Sequence, residues 1–480
     1  MHKFFFRNLA FLIGINLIIK PLWIFGIDRT VQNTVGAESY GLYFVLMNLS
    51  FLTQIFLDFG ISNYNNRVIA RQEHLLTIHL SNIFSIKLFL SGIYLIITGI
   101  IALALDYSGY QLYLLLLICG NQILASLIVY VRSNISALHH FKVDSIFSVM
   151  DKALMLLICG VLLIVPSLQA QFIIEWFVYA QLFSYFVTFI IALIYVLSIS
   201  GRISLDFSRS FSIDLIRNSF PFALLIALMM IYGKVDGVML QNLLPLEGHF
   251  EAGLYASAYR LLDAFNQFGY LFAVLLLPIF TRLLSNKQSV EILVKTSFTV
   301  IFIISVIVSA GLSFYSKPVM TLLYNENPGY SAMLLHYLIF CFIGTCAVYI
   351  FGTLLTANGN LYLLCVVSAV AVGVNFLLNL YLIPKLKALG AAETATFTQL
   401  LTAALTIFAA VKIFKWRMNI KLIFRLLIFL LATMMIFWIS RQVDASWIIC
   451  AVSAVVASIY FSFLIRLINV RSIFALARTV

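Results

Sequence analysis

Five basic side chains sit inside long apolar stretches of this chain: Lys20, Lys87, Lys152, Lys234 and Arg260. Carboxylates stand close to three of them. Asp151 adjoins Lys152, Asp236 follows Lys234 by two residues, and Asp263 follows Arg260 by three. An ionised group at membrane depth costs about 2.5–3.5 kcal/mol on insertion scales, so it faces a bundle interior or a wet cavity. Two chemistries fit. The charges can pair and fasten helices together, or spare positive charge can line a cavity that takes an anion. Lys20 and Lys87 have no acid nearby in sequence, which favours the second role for them. Arg260 offers an oxyanion two parallel donors where a lysine offers a point charge. The outer loops cluster no acid, base and nucleophile, so covalent chemistry is not expected. His139-His140 reads as a solvated loop pair. Cys119, Cys159, Cys341, Cys346, Cys365 and Cys450 read as small core residues without metal-type spacing. No metal or cofactor is expected.

Polar residues accompany these charges at helical spacing. Ser50, Gln54 and Asp58 recur every four residues, as do Gln122, Ser126 and Tyr130. Asp58 lies near a cytoplasmic end, where it can bind Arg67 or Arg71. The broadest polar face holds Tyr259, Arg260, Asp263, Asn266, Gln267 and Tyr270. On that face Tyr259 and Tyr270 offer rings that can stack on sugars. Asp58, Asp151, Asp236 and Asp263, with the neighbouring amides, are the candidates for handling a coupling ion, either proton or sodium.

These groups need an apolar frame. The 480 residues are 63% apolar and only 10% charged, with a mean hydropathy of +1.06. Soluble domains carry roughly 25% charged residues, so the chain is a polytopic membrane protein. A bilayer core takes about 20 apolar residues per helix. On that measure fourteen spans appear, at 8–27, 40–59, 82–105, 110–131, 145–165, 170–198, 217–244, 251–280, 291–316, 331–357, 361–383, 389–411, 420–439 and 445–466. Lys20-Pro21 predicts a kink in span 1, because proline removes a backbone bond. The stretch 61–81 reads as an interfacial helix.

Of the 30 Lys and Arg, seven fall inside spans: the five above, Lys295 and Arg425. Five lie in outer loops (Arg29, Lys317, Lys385, Lys387, Arg441) and the other eighteen in cytoplasmic segments. That bias puts both termini in the cytoplasm. The net charge of +12 is then largely topology signal and contact with anionic membrane lipids, not a nucleic-acid footprint.

The chain also repeats itself. Asp28, Gln32-Asn33 and Tyr40-Gly41-Leu42-Tyr43 return as Asp236, Gln241-Asn242 and Ala252-Gly253-Leu254-Tyr255. The linker 201–216 joins an even number of spans to an even number, which predicts a parallel repeat. The expected organisation is an N-terminal lobe (1–200, spans 1–6), the linker 201–216, and a C-terminal lobe (217–411, spans 7–12). A basic linker with two extra helices (412–480, spans 13–14) follows. A shift of 212 pairs Gln54 with Asn266 and Asn48 with Arg260.

Ile19-Lys-Pro-Leu-Trp-Ile-Phe-Gly-Ile-Asp-Arg-Thr-Val-Gln-Asn with Gly36-Ala-Glu-Ser-Tyr-Gly-Leu-Tyr resembles the opening of O-antigen and capsule flippases, the Wzx-type polysaccharide transporters. Val235-Asp-Gly-Val-Met-Leu with Gly253-Leu-Tyr-Ala-Ser-Ala-Tyr-Arg is similar to their seventh and eighth helices. So are Leu322-Leu-Tyr with Tyr330, and Asn375-Phe-Leu-Leu-Asn-Leu-Tyr-Leu-Ile-Pro with Gly390-Ala-Ala-Glu-Thr-Ala-Thr, to later segments. The resemblance implies the multidrug/oligosaccharidyl-lipid/polysaccharide exporter fold, two six-helix lobes opened alternately to each side. It implies an undecaprenyl-diphosphate-linked oligosaccharide as cargo, a bacterial inner membrane as location, and a polysaccharide polymerase with its chain-length machinery as neighbours. Spare cavity charge suits a diphosphate. A cation-coupled drug exporter of the same fold needs a surplus of acids in the cavity, whereas here buried bases match or exceed them. A membrane polymerase or ligase resembles chains with a sizeable outer loop, and the outer loops here are about a dozen residues.

Overall fold

The computed structural model describes residues 14–16, 18–69, 72, 76–138, 140–200, 209–417 and 419–467. The start of span 1, Arg71, His139, residues 201–208 of the linker and residues 468–480 lie outside these. Among the described residues there is no strand. Among the described residues twelve helices are long and apolar enough to cross a membrane, and they coincide with spans 3 to 14. Packing divides the chain into two compact units, Met1–Gly253 and Leu254–Val480. The division falls within span 8 and not in the 201–216 linker, because span 7 packs on span 2.

In the first unit, the irregularity expected at Lys20-Pro21 takes the form of α1 (Leu22–Asp28), which is wound as a π-helix. The Arg29 N–H closes it on the Ile24 carbonyl, five residues back. Such windings are rare and cluster at functional sites. Helix α2 (Arg29–Leu52) follows without a loop, so residues 28–39, an outer loop on hydropathy, are helical on both sides of Gly36. Gly36 makes the turn at φ 82° and ψ 165°, a backbone state that a side chain would disfavour. Span 2 then breaks. After Leu52 come one turn of α3 (Ile55–Asp58), two left-handed residues (Phe59 at φ 43°, Gly60 at φ 75°) and α4 (Ile61–Ile69). Ser50, Gln54 and Asp58 therefore do not form one stripe on one helix.

Helices α5 (Leu76–Ala104), α6 (Gly109–Ala137), α7 (Phe141–Ile164), the single turn α8 (Pro166–Gln169) and α9 (Ile174–Ser200) complete this part. Helix α10 (Arg209–Leu243) starts inside the stretch that the sequence assigns to the linker. An established helix propagates through polar residues at little cost. Ile83, Ile86 and Leu90 of α5 meet Leu127, Val131 and Ile135 of α6, Phe147 of α7 and Val196 of α9 in a buried core. The three- and four-residue spacings put each set on one helix face.

Helix α11 (Gly248–Ser285) is 38 residues long, about 57 Å at 1.5 Å per residue. That exceeds a bilayer core of about 30 Å. The second unit continues with α12 (Glu291–Phe314), α13 (Ser316–Leu323), α14 (Pro328–Leu338), α15 (Cys341–Ala357), α16 (Leu361–Leu386), α17 (Ala388–Ile413), α18 (Ile420–Ser440) and α19 (Trp447–Leu464). Spans 13 and 14, which have no counterpart in the first half, bury Phe429, Phe437 and Ala454 against Ile303, Val306 and Ala310 of α12. The Tyr315 hydroxyl and Ser440 Oγ, 2.9 Å apart, add a polar tie. Helix α17 packs on α15 and α16 through small residues. Thr394, Thr398, Thr402 and Thr406 are all buried, and Thr402 and Thr406 return their hydroxyls to carbonyls four residues back. Small and hydroxylated residues let helix backbones approach closely in lipid.

Candidate functional site

The first unit gathers charge where span 1 packs on α7. On α7, Asp144, Ser148, Asp151 and Lys152 recur at four, three and one residues, which keeps them near one face. Asn16 Nδ2 donates to Ser148 Oγ at 3.0 Å and ties the two helices. One turn along, the Lys152 ammonium lies 3.0 Å from Asp151 Oδ2 and donates to the Tyr185 hydroxyl at 2.9 Å. It also sits 4.8 Å from the Trp23 ring centroid and 4.9 Å from that of Tyr185. Two ring faces thus flank one ammonium, each contact worth about 0.5–2 kcal/mol according to desolvation. Lys20 is half-buried and feels the fields of Lys152, Asp151 and Arg132. Arg132 is matched by Asp144, Nε to Oδ1 at 2.8 Å. Lys20, Lys152 and Asp151 thus belong to one neighbourhood of charge.

Lys87 has a different task from the one expected. It is 1% exposed and its ammonium donates to Asp58 Oδ1 at 2.6 Å, to the Leu57 carbonyl at 3.1 Å and to Ser126 Oγ at 2.7 Å. An ammonium has three donors, and all three are used. Asp58 therefore pairs with Lys87 of α5, and it also accepts from Ser62 Oγ at 2.5 Å. The lysine that lacks an acid nearby in sequence holds together the break between α3 and α4. Its charge is committed to the fold, not offered to a ligand.

Lys234 lies 5.7 Å from the Phe51 ring centroid, and Asp236 is buried at 2% exposure. Two residues apart on a helix, they do not face each other. In the second unit Arg260 is buried, while Asp263, Asn266, Gln267 and Tyr259 are half-buried on α11. Tyr259 packs on Tyr255 with centroids 5.7 Å apart. Tyr270 is 49% exposed and meets Tyr349 edge-on at 6.1 Å.

Sequence reasoning missed several members. Trp23 and Tyr185 carry no charge and sit far from Lys152 in sequence. Asp28 served only to mark the repeat, yet it is 1% exposed and accepts from the Tyr40 hydroxyl at 2.8 Å. The Tyr40 ring packs on Tyr43, whose hydroxyl accepts from Gln181. Gln181 in turn accepts from Asn121 at 3.1 Å. The spacing of 144, 148 and 151 was the signal available for the α7 face.

Long apolar helices with a π-wound first span, a broken second span and buried charge beside both define a polytopic membrane fold. The structure is similar to that solved as lipid II flippase MurJ, inward closed conformation, with a TM-score of 0.67 and 14% identity over 95% of this chain and 99% of that one. It is also similar to an inward-facing multidrug resistance MATE family transporter of the MOP superfamily (TM-score 0.60, 15% identity, 81% of this chain and 93% of that one). An outward-facing structure described in the same terms gives 0.57 and 15%, over 84% of this chain and 93% of that one. At such identities the likeness is one of fold. No curated protein matches the chain. Residues 5–284 match the polysaccharide biosynthesis protein family, and the chain belongs to that family.

Proposed function

We propose that this chain moves an undecaprenyl-diphosphate-linked oligosaccharide, the repeat unit of an O-antigen, capsule or exopolysaccharide, from the cytoplasmic to the outer leaflet of a bacterial inner membrane. It does so by alternating access and without covalent chemistry. The observation that carries this reading is the Lys152–Asp151 pair beside the Trp23 and Tyr185 rings, with Lys20 in the same field, in a chain of the polysaccharide biosynthesis family. A diphosphate is an anion that ammonium groups at membrane depth can bind, and lipid supplies none. Aromatic rings beside it suit sugar faces. Lys234 and Arg260 are further candidates for binding the diphosphate, and Tyr259 and Tyr270 for stacking on sugars. Asp58, Asp151, Asp236 and Asp263 are the candidates for coupling to protons or sodium. Both termini are cytoplasmic in this reading. A polymerase and chain-length machinery act next on the delivered unit.

The test is surface polysaccharide in cells that depend on this chain. Lys20→Ala or Arg260→Ala, present in the membrane at parental level, should abolish it, and Arg260→Lys should retain part. Normal polysaccharide with both alanine variants would refute the cationic site.

A further inference from the structure

Two short segments cross more closely than any side chain allows. A Cβ added to Gly41 would stand 1.8 Å from the His249 carbonyl oxygen and 2.7 Å from the Gly253 nitrogen. A Cβ added to Gly253 would stand 1.9 Å from the Ala37 carbonyl oxygen. Every one of these obstacles is backbone, so no rotamer change relieves them. The segments also correspond. Gly41 and Gly253 are 212 residues apart, as are Ala37 and His249, which is the offset of the internal repeat. Each glycine thus packs on the carbonyl of the residue four before the other glycine, a reciprocal small-residue crossing of the kind that brings membrane helices together. Gln32 Nε2 adds a hydrogen bond to the Gly253 carbonyl at 2.8 Å. The turn at Gly36 delivers Ala37 to the crossing. Two turns further along α2, Asn48 faces Gly237 of α10, where its Nδ2 would lie 2.3 Å from an added Cβ.

We infer that this crossing is the contact that closes the outer end of the transport path, and that Gly41 and Gly253 set how readily it closes. The inference rests on the transport reading. Residues 28–39 and 245–250 belong to segments that the positive-inside bias places outside. Backbone against backbone leaves no room for water, so the contact seals. Gln32 Nε2 to the Gly253 carbonyl and Gln111 Nε2 with His249 Nε2 at 3.3 Å are hydrogen bonds at the crossing, each worth about 0.5–1.5 kcal/mol. A side chain at either glycine holds the segments apart and shifts the population toward the open outer end.

The test reads distance, not flux, so it does not depend on the identity of the cargo. Spin labels go on Glu38→Cys and Leu246→Cys, both exposed and on opposite sides of the crossing. The six native cysteines are buried and compete little for label. The purified parent should give a short, narrow distance. Gly41→Ala or Gly253→Ala should raise the ratio of long to short distances at least tenfold. Gly233→Ala, which meets nothing within 4 Å, should match the parent. Should the glycine variants not fold, Gln32→Leu carries the test, with a smaller shift in the same direction. An unchanged distribution in folded Gly41→Ala and Gly253→Ala, or in Gln32→Leu if those do not fold, overturns the inference. So does an equal shift in Gly233→Ala. The parental short distance together with no transport of a lipid-linked oligosaccharide would sink the cargo and leave the gate standing.

Discussion

Removing either partner of the Lys87–Asp58 pair should destabilise the protein, and by unequal amounts. Lys87 is 1% exposed on its side chain and Asp58 29%. Asp58→Asn leaves an ammonium in a dry site with only neutral acceptors. An uncompensated buried charge of this kind costs about 3–5 kcal/mol. Lys87→Met leaves Asp58 partly in contact with water and still bonded by Ser62. Its main cost is the lost hydrogen bonds of the ammonium, about 1–3 kcal/mol, because the Leu57 carbonyl keeps a donor in Ser126 Oγ at 3.3 Å. The double variant removes both charges and should recover much of the Asp58→Asn loss, because replacing a whole buried pair is often close to neutral. The assay is thermal unfolding of detergent-solubilised protein, followed by the monodisperse fraction that survives heating. The expected order of midpoints is parent, then Lys87→Met, then Asp58→Asn, with the double variant above Asp58→Asn. If Asp58→Asn is no worse than Lys87→Met, or the double variant is the least stable, Lys87 does not hold the break as described.

Other consequences follow from single contacts. Gly60→Ala should lower stability by about 1–2 kcal/mol, the cost of a left-handed backbone with a Cβ, since Gly60 sits at φ 75°; the same thermal assay reads it. Tyr185→Phe keeps the ring beside Lys152 but removes a hydrogen bond to a charged group, worth about 1.5–3 kcal/mol; surface polysaccharide should fall while membrane levels hold. Tyr315→Phe should cost about 1 kcal/mol through the lost partner of Ser440, with transport per folded molecule unchanged. Reporter fusions at Val480 should report a cytoplasmic C-terminus, and an outer location would refute the orientation.

Span positions were legible because each helix must supply about 20 apolar residues to cross a bilayer. That demand overrides local propensity, and spans 3 to 14 fall where hydropathy puts them. The irregular places were harder. Pro21 announced a disturbance, but hydropathy does not distinguish a π-winding from a bend. Residues 28–39 looked like a loop because they are polar, yet one glycine at Gly36 suffices for the turn. The Ser50, Gln54, Asp58 spacing suggested one stripe, and the left-handed pair at Phe59 and Gly60 belongs to a break that periodicity cannot register. Partners fared worst. Lys87 meets Asp58, and Lys152 meets Trp23 and Tyr185, across spans whose mutual rotation no single sequence encodes.

The central claim is that the Lys20 and Lys152 cluster carries a lipid-linked diphosphate oligosaccharide across the membrane. It is tested most directly in vesicles of defined lipid containing the purified chain and an undecaprenyl-diphosphate oligosaccharide with a fluorescent sugar. Quenching of the outer-leaflet label by an impermeant reductant reports movement between leaflets. The account predicts full quenching with the parent chain, about half with Lys20→Ala as with empty vesicles, and an intermediate extent or rate with Lys20→Arg. Full quenching at the parental rate by Lys20→Ala, or none by the parent, would contradict it.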